Sequence, residues 1–317
     1  MSPSDAPQGP VERFAPSPTG LLHLGHAFSA ITAARAARAH GGKFLLRLED
    51  LDESRVRPGF VNAILEDLDW LGISPDGAVL RQSTRRTAYD AALRQLAEGG
   101  LLYLCRCTRR DIREAASAPQ ERTSPGALGE AQAGEQQGLD GPIYPGTCRP
   151  PADAPMPPCP VPPPTGAALR LDLARALASV SGTLTYEETG PLHAGIHAVD
   201  PQRMIAEIGD VVLARRDGAA AYHLAVVVDD AAQGVTHVTR GTDLFAATAL
   251  HRLLQALLAL PVPVWHHHRL IRDAEGRRLA KRDDARALAT LRAEGWSRED
   301  VLRAIELDAG AAGAGLP

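Results

Sequence analysis

Two histidines three positions apart, His23 and His26, stand in the stretch PSPTGLLHLGHA, which runs from Pro16 to Ala27. If a helix begins there, its unpaired N–H groups and partial positive charge suit a phosphate. Gly20 and Gly25 let a nucleotide approach the backbone closely, and the two imidazoles can donate to charge developing on a transferring phosphoryl group. The alternative is a pair of structural histidines, which an isolated H-x-G-H would favour. A second group is sulfur-based. Cys105 and Cys107 lie one residue apart at the end of a strand-like run, and YPGTC brings Tyr144 and Cys148 within four positions. Thiolates with one oxygen or nitrogen ligand suit a tetrahedral zinc. On spacing alone Cys159 is the better fourth ligand, with His193 or His197 as substitutes. The run WHHHRLI also invites a metal reading, but consecutive strand residues point to alternate faces, so it reads as strand.

Elements of the right kind surround these residues. VERFAPS reads as a short strand stopped by Pro16, and a helix follows from about Leu24, with Phe28, Ile31 and Ala34 on one side and Gly41-Gly42 ending it. KFLLRLED is then an apolar run of the sort found in a buried parallel strand. Strand, helix, strand makes a βαβ unit whose first loop lies at the carboxyl end of its strand, where open α/β sheets bind ligands. A second helix opens at Pro58, carries the stripe Val61, Ile64, Leu65, Leu68 and Leu71, and is capped at Gly72. A third spans about Thr84 to Glu98 with Tyr89, Ala92, Leu93 and Leu96 inward. Residues 116–141 lack periodicity and read as mobile or extended loop, and RPPADAPMPPCPVPPP as a proline-rich connector. ALRLDL, TLTYEE, DVVLARRDG and AYHLAVVVDD are strand candidates. A helix is expected over Leu244 to Leu258, and SREDVLRAIEL closes the chain with Ser297 and Asp300 as a capping pair. There is no internal repeat. The expected divisions are 1–100, 101–165, 166–260 and 261–317.

Composition narrows the class. The chain has 317 residues, long for one core, and a formal net charge of −4, so contact with nucleic acid must come from a local basic patch. Four cysteines are too few and too clustered for a secreted disulfide scaffold, which favours a metal site. The most apolar run, Leu253 to Val264, is broken by Pro261 and Pro263, and no leader-like segment is evident. A cytoplasmic protein without a membrane span is expected.

Four segments together carry a family resemblance. RFAPSPTGLLHLGHA resembles the HIGH region of class I aminoacyl-tRNA synthetases in its glutamyl form. LRLEDLD resembles the second signature of that group, AYHLAVVVDDAAQGVTHVTRGTDL a third, and RRLAKRDD the KMSKS loop, in the family's order from Arg13 to Asp284. The resemblance implies an α/β fold with a Rossmann-type parallel-sheet catalytic domain, a zinc-containing insertion and a short helical C-terminal region. It implies that Arg13, Ala15, Ser17, Glu49, Tyr222 and Arg240 bind glutamate, with Glu49 on the α-amino group. It also implies that Gly20, His23, Gly25, His26 and Lys281 bind ATP with Mg2+. Of these, His23, His26 and Lys281 act in catalysis. Arg240 matters chemically, because a guanidinium pairs bidentately with a carboxylate and binds an amide less well. In the KMSKS equivalent, Arg278 to Arg282, alanine stands where serine is usual, at Ala280, while Lys281 keeps the ammonium that reaches phosphates. Arg269, Arg272, Arg277 and Arg286 around it could meet an RNA backbone. A C-x-C…Y-x-x-x-C arrangement in part of the family implies Cys105, Cys107, Tyr144 and Cys148 as ligands of one structural zinc.

Only about thirty-five residues follow Arg282, a helical pair at most by ordinary helix lengths, where a full glutamyl enzyme carries an anticodon-binding region. The resemblance is therefore to the truncated branch of the family, which makes glutamyl-adenylate and transfers glutamate to the queuosine at the wobble position of tRNA(Asp). Two other enzyme readings stay open, a shortened synthetase charging the tRNA 3′ end and a nucleotidyltransferase acting on a small acid.

Overall fold

Strand, helix and strand follow one another at the start of the chain as the apolar pattern dictates. The structure is a computed structural model that describes residues 9–117, 137–139, 141–271 and 286–305. Strand β1 (Val11–Phe14) leads through the proline-rich turn into helix α1 (Leu24–Ala39), and Gly41, at φ +65°, turns the chain into β2 (Lys43–Leu48). β1 and β2 pair in parallel, Val11 opposite Lys43 and Phe14 opposite Leu46. Helix α2 (Pro58–Trp70) starts on its proline and ends at Gly72, and the short β3 (Leu80–Arg81) extends the sheet in parallel on β2. Along α2, Val61, Ile64 and Leu68 are buried, but Leu65 is 41% exposed, so the stripe is narrower than the sequence pattern suggests. Helix α3 (Arg86–Glu98) buries Tyr89, Ala92, Leu93 and Leu96 as expected.

Next come β4 (Leu102–Cys105), α4 (Arg109–Ser117) and a two-rung hairpin of β5 (Gln137–Gly138) and β6 (Gly141–Pro142) inside the segment read as loop. The rest of that segment, 118–136 and 140, lies outside the described residues. Then follow β7 (Ala168–Leu171), α5 (Leu173–Ala178), β8 (Thr185–Glu188), β9 (Gly195–Ala198), α6 (Pro201–Glu207) and β10 (Val212–Ala214). Strand β7 sits between β4 and β10 in an antiparallel sheet. Helix α7 (Tyr222–Ala232), β11 (His237–Gly241), α8 (Thr248–Leu257), β12 (Val264–His268), α9 (Leu288–Ala293) and α10 (Arg298–Ala304) complete the order. β11, β12 and β8 are parallel, with β9 antiparallel at the edge.

Two expectations change. AYHLAVVVDD is helix α7 and not a strand. Residues 223–227 are all buried, and a run apolar on every side carries no period to separate a sunken helix from a strand. The helix expected from Leu244 begins as a 3₁₀ turn over Thr242–Ala247 and becomes α-helical only at Thr248. The closing helix α10 has the expected capping box, Ser297 with Asp300. Among the described residues no helix is long and apolar enough to cross a membrane.

The two parallel sheets abut along β1 and β11. Thr236 donates its N–H to the Val11 carbonyl at 3.0 Å, and further along side chains bridge the strands. Glu12 accepts from the Thr239 hydroxyl at 3.0 Å, and Arg13 donates to the Thr239 carbonyl at 3.2 Å. Across this seam lies Asp230, near the end of α7, which accepts from Arg13 Nε at 3.1 Å and from Arg47 Nη1 at 2.6 Å. Its neighbour Asp229, fully buried, accepts from Gln82, Arg85 and Tyr89 at 2.9, 3.0 and 2.6 Å, which ties α7 to α3.

Removing Asp230 strands two buried cations, so Asp230→Ala should cost about 3–5 kcal/mol of folding stability, whereas Asp217→Ala, which breaks the surface pair with Arg215, should cost less than about 1 kcal/mol. Burial works against the charged form of Asp230, but Arg13 and Arg47 hold its carboxyl below the usual range. Its contribution is therefore complete above the unfolded-chain value near pH 4 and fades as pH falls through the depressed folded value. Urea denaturation at pH 7 and below about pH 4 checks both points, the gap between wild type and Asp230→Ala narrowing in acid.

Candidate active site and metal centre

The loop after β1 delivers His23 to the N-cap of α1. Its Nδ1 accepts the Gly25 N–H at 3.1 Å, and His26 Nδ1 accepts the His23 N–H at 3.2 Å, so a pair of imidazoles forms the capping box. Their ring centroids lie 3.9 Å apart. With both Nδ1 atoms accepting, each neutral ring carries its proton on Nε2. Gly25 lets the His23 ring lie close, since a Cβ there would stand 3.0 Å from His23 Cε1 and push the ring aside. Gly20 lies on the loop leading into the cap. Lys281 falls outside the described residues, which resume at 286. The described flanks of its segment both meet the start of the chain. Ile271 packs in the core formed with α1, Leu288 donates its N–H to the Leu22 carbonyl at 2.8 Å, and Ala287 bridges to His23. Arg269 lies over the Phe28 ring at 5.0 Å.

Ala15 and Ser17 follow β1 directly. The N–H of Glu49 donates to the Pro16 carbonyl at 3.0 Å, which seats the end of β2 beside them. Burial raises the Glu49 carboxyl to about 7, against the pull of Arg47 and Arg13, and its Oε1 lies 3.6 Å from Arg47 Nη2. Arg13 is turned inward, toward Asp230 and Thr239.

Arg240, on β11, is buried, and burial presses its guanidinium below the ordinary value. It donates to His267 Nε2 at 2.9 Å, His251 Nδ1 at 3.1 Å, the Leu244 carbonyl at 3.2 Å and the Thr248 hydroxyl at 2.9 Å. Burial holds His267 down to about 4, and burial with Arg240 holds His251 well below its ordinary value, so both are neutral near pH 7. These hydrogen-bond partners of the cation are thus uncharged. Tyr222, at the first turn of α7, stacks its ring edge-on to His251 at 5.9 Å. Sequence reasoning does not reach His251, His267, Glu188, Arg47 or Asp230. For His267 the signal was present in WHHHRLI but pointed to metal or bare strand.

Cys105, Cys107, Tyr144 and Cys148 come together at the end of β4. Tyr144 Oη lies 3.5 Å from Cys105 Sγ and 3.6 Å from Cys107 Sγ, and Cys107 and Cys148 are 3.4 Å apart at sulfur. A tetrahedral metal with ligand bonds of about 2.0–2.3 Å needs its ligand atoms roughly 3.3–3.8 Å apart; the three sulfurs lie within 4.8 Å of one another, a group that could hold a metal ion, with the phenol beside them. Arg170 lies over the Tyr144 ring at 3.9 Å. Cys159 packs instead against the large core around α7, and His193 and His197 sit with Phe245 and Tyr186 on the β8–β9 side.

Comparison with known proteins places the chain in a family. The profile of the family described as tRNA synthetases class I (E and Q), catalytic domain, matches residues 11–132 and 197–311. The Glutamyl-Q tRNA(Asp) synthetase of Rhodobacter capsulatus is 56% identical over 298 residues, which is 94% of this chain and 100% of that protein. The protein of the same name from Nocardia farcinica is 45% identical, over 93% of this chain and 83% of its own length. Among solved structures, a glutamate tRNA ligase from Elizabethkingia meningosepticum in complex with its amino acid superposes with a TM-score of 0.68 at 27% identity, covering 92% of this chain and 59% of that one. A methionyl-tRNA synthetase of Mycobacterium tuberculosis shares the fold alone, at 13% identity and a TM-score of 0.57.

Proposed function

Because the chain belongs to the class I tRNA synthetases of the E and Q group, and is a ligase of that type, we propose that it activates L-glutamate with ATP and transfers the glutamyl group to the queuosine of tRNA(Asp). The observation that carries the amino-acid half is Arg240, a buried cation whose hydrogen-bond partners are all neutral. Such a group favours a ligand carboxylate over an amide, because only the carboxylate adds charge pairing to the hydrogen bond. The RNA half rests on the names of the relatives, two of which match over more than nine-tenths of this chain.

In the first step the α-carboxylate oxygen of glutamate attacks the α-phosphorus of ATP and pyrophosphate leaves with the bonding pair. Arg240 and Tyr222 hold the side-chain carboxylate, with Arg13, Ala15 and Ser17 forming the wall at the end of β1. Glu49 takes the α-ammonium, whose charge favours the ionised carboxyl that burial alone resists. His23 and His26, with Nε2–H directed by their capping bonds, donate to the phosphoryl oxygens beside Gly20, Gly25 and the α1 amides. Lys281 supplies an ammonium to the ATP phosphates, and Mg2+ accompanies the nucleotide. In the second step a hydroxyl of the queuosine cyclopentenediol attacks the glutamyl carbonyl, its proton is released, and AMP leaves. Holding both reactants in one cleft supplies much of the rate. The reaction belongs to the cytoplasm.

We assign one zinc to Cys105, Cys107, Tyr144 and Cys148, whose spacing fits a closed four-ligand shell. Such an ion would pin β4 to the loop leading into the proline-rich connector. Metal analysis of the purified chain should find one zinc per chain, lost in Cys148→Ser and kept in Cys159→Ser. Loss in Cys159→Ser with retention in Cys148→Ser would contradict the assignment.

The acceptor is tested by charging tRNA(Asp) with labelled glutamate and digesting the product. Label is expected in the anticodon loop, on queuosine-containing tRNA only. Label at the 3′ adenosine would instead make the chain a shortened glutamyl enzyme.

A further inference from the structure

Arg240 is held by a line of buried groups that no sequence signature announces. At its head stands Glu188, the last residue of β8. Its Oε1 accepts the backbone N–H of Gly190 at 2.6 Å and of His267 at 2.8 Å, while Oε2 faces His267 Nδ1 at 2.5 Å. Burial opposes the charge on Glu188, but the bonds from His267 and Gly190 keep its carboxyl below the ordinary range. Residue 190 must be small, since a Cβ there would lie 2.3 Å from the His267 carbonyl oxygen and 2.6 Å from Glu188 Oε1.

The polarity of the line is forced. An ionised carboxylate only accepts, so Nδ1 of His267 carries the hydrogen. In the neutral ring Nε2 is then an acceptor, and it faces Arg240 Nε, which only donates. On the other side His251 Nδ1 accepts from Arg240 Nη1, which leaves its hydrogen on Nε2, 3.0 Å from His223 Nδ1. The opposite tautomer of His267 would set donor against donor. A carboxylate placed directly on Arg240 would pair with the cation and compete with the ligand. An imidazole between them keeps the hydrogen bond and leaves the charge for substrate.

We propose that Glu188 and His267 are positioning residues for glutamate selection: Glu188 fixes His267 as the Nδ1–H tautomer, and His267 in turn aims Arg240 at the substrate's side-chain carboxylate without neutralising it. The proposal rests on Arg240 being the contact for that carboxylate.

Adenylate formation by the whole chain tests it. In Glu188→Gln and His267→Phe the KM for glutamate should rise roughly tenfold or more, the scale of one lost hydrogen bond to a charged group, with kcat at saturating glutamate and the KM for ATP within about twofold of wild type. The preference for glutamate over glutamine should fall with it. If Arg240→Lys raises the glutamate KM and the two positioning variants do not, the positioning role is wrong and the pocket stands. If Arg240→Lys leaves it unchanged, the pocket assignment itself fails, and the proposal with it. Nitrogen-15 histidine spectra of the wild-type chain need no variant to fold. They should show His267 neutral with its proton on Nδ1 at pH 7, and an Nε2–H ring or an imidazolium would overturn the proposal.

Discussion

Asp230 sits where a carboxylate has least reason to be, near the C-terminal end of a buried helix whose dipole is negative there. Two guanidiniums from neighbouring parallel strands, Arg13 on β1 and Arg47 on β2, compensate it. Because each of the three charges is buried, none can leave without stranding the others. The seam between the two parallel sheets is thereby fixed at the level where β1 ends and the ligand loop begins. Asp229 extends the clamp to α3, and α7 then acts as a rod of about 16 Å by its eleven residues at 1.5 Å each. At its far end Tyr222 meets His251 beside Arg240. The clamp thereby sets where Tyr222 stands relative to Arg240.

Two places in the fold use the same side chain in opposite hydrogen-bonding roles. At α1, His23 and His26 accept backbone N–H groups at Nδ1 to cap the helix, which puts the hydrogen of each neutral ring on Nε2. Around Arg240, His267 and His251 act as acceptors, because a buried cation needs partners that do not cancel it. In each case a second hydrogen bond selects the tautomer. Burial keeps His267 and His251 neutral, so the polarity holds at physiological pH.

Much of this was legible in the chain. The βαβ start, the inward face of α3, the capping box at Ser297 and the cysteine–tyrosine grouping all follow from local pattern or family resemblance. What was not legible depends on contacts between distant residues. Helix α7 looks like a strand in sequence because a run buried on every side has no amphipathic period. Leu65 was placed inward by periodicity, yet the partner surface on α2 is narrower than the stripe. Asp230, Arg47, Glu188 and His267 each look ordinary in sequence and gain meaning only from partners 27 to 217 positions away. Cys159 fitted the metal by spacing, but the fold carries it to another core.

On the proposed reading glutamate, held by the buried Arg240, is joined to AMP beside the N-terminus of α1 before any RNA arrives. Exchange of labelled pyrophosphate into ATP by the purified chain, without tRNA, tests it most directly. Glutamate should support exchange and glutamine should not. No exchange with glutamate, or equal exchange with both, would contradict the account.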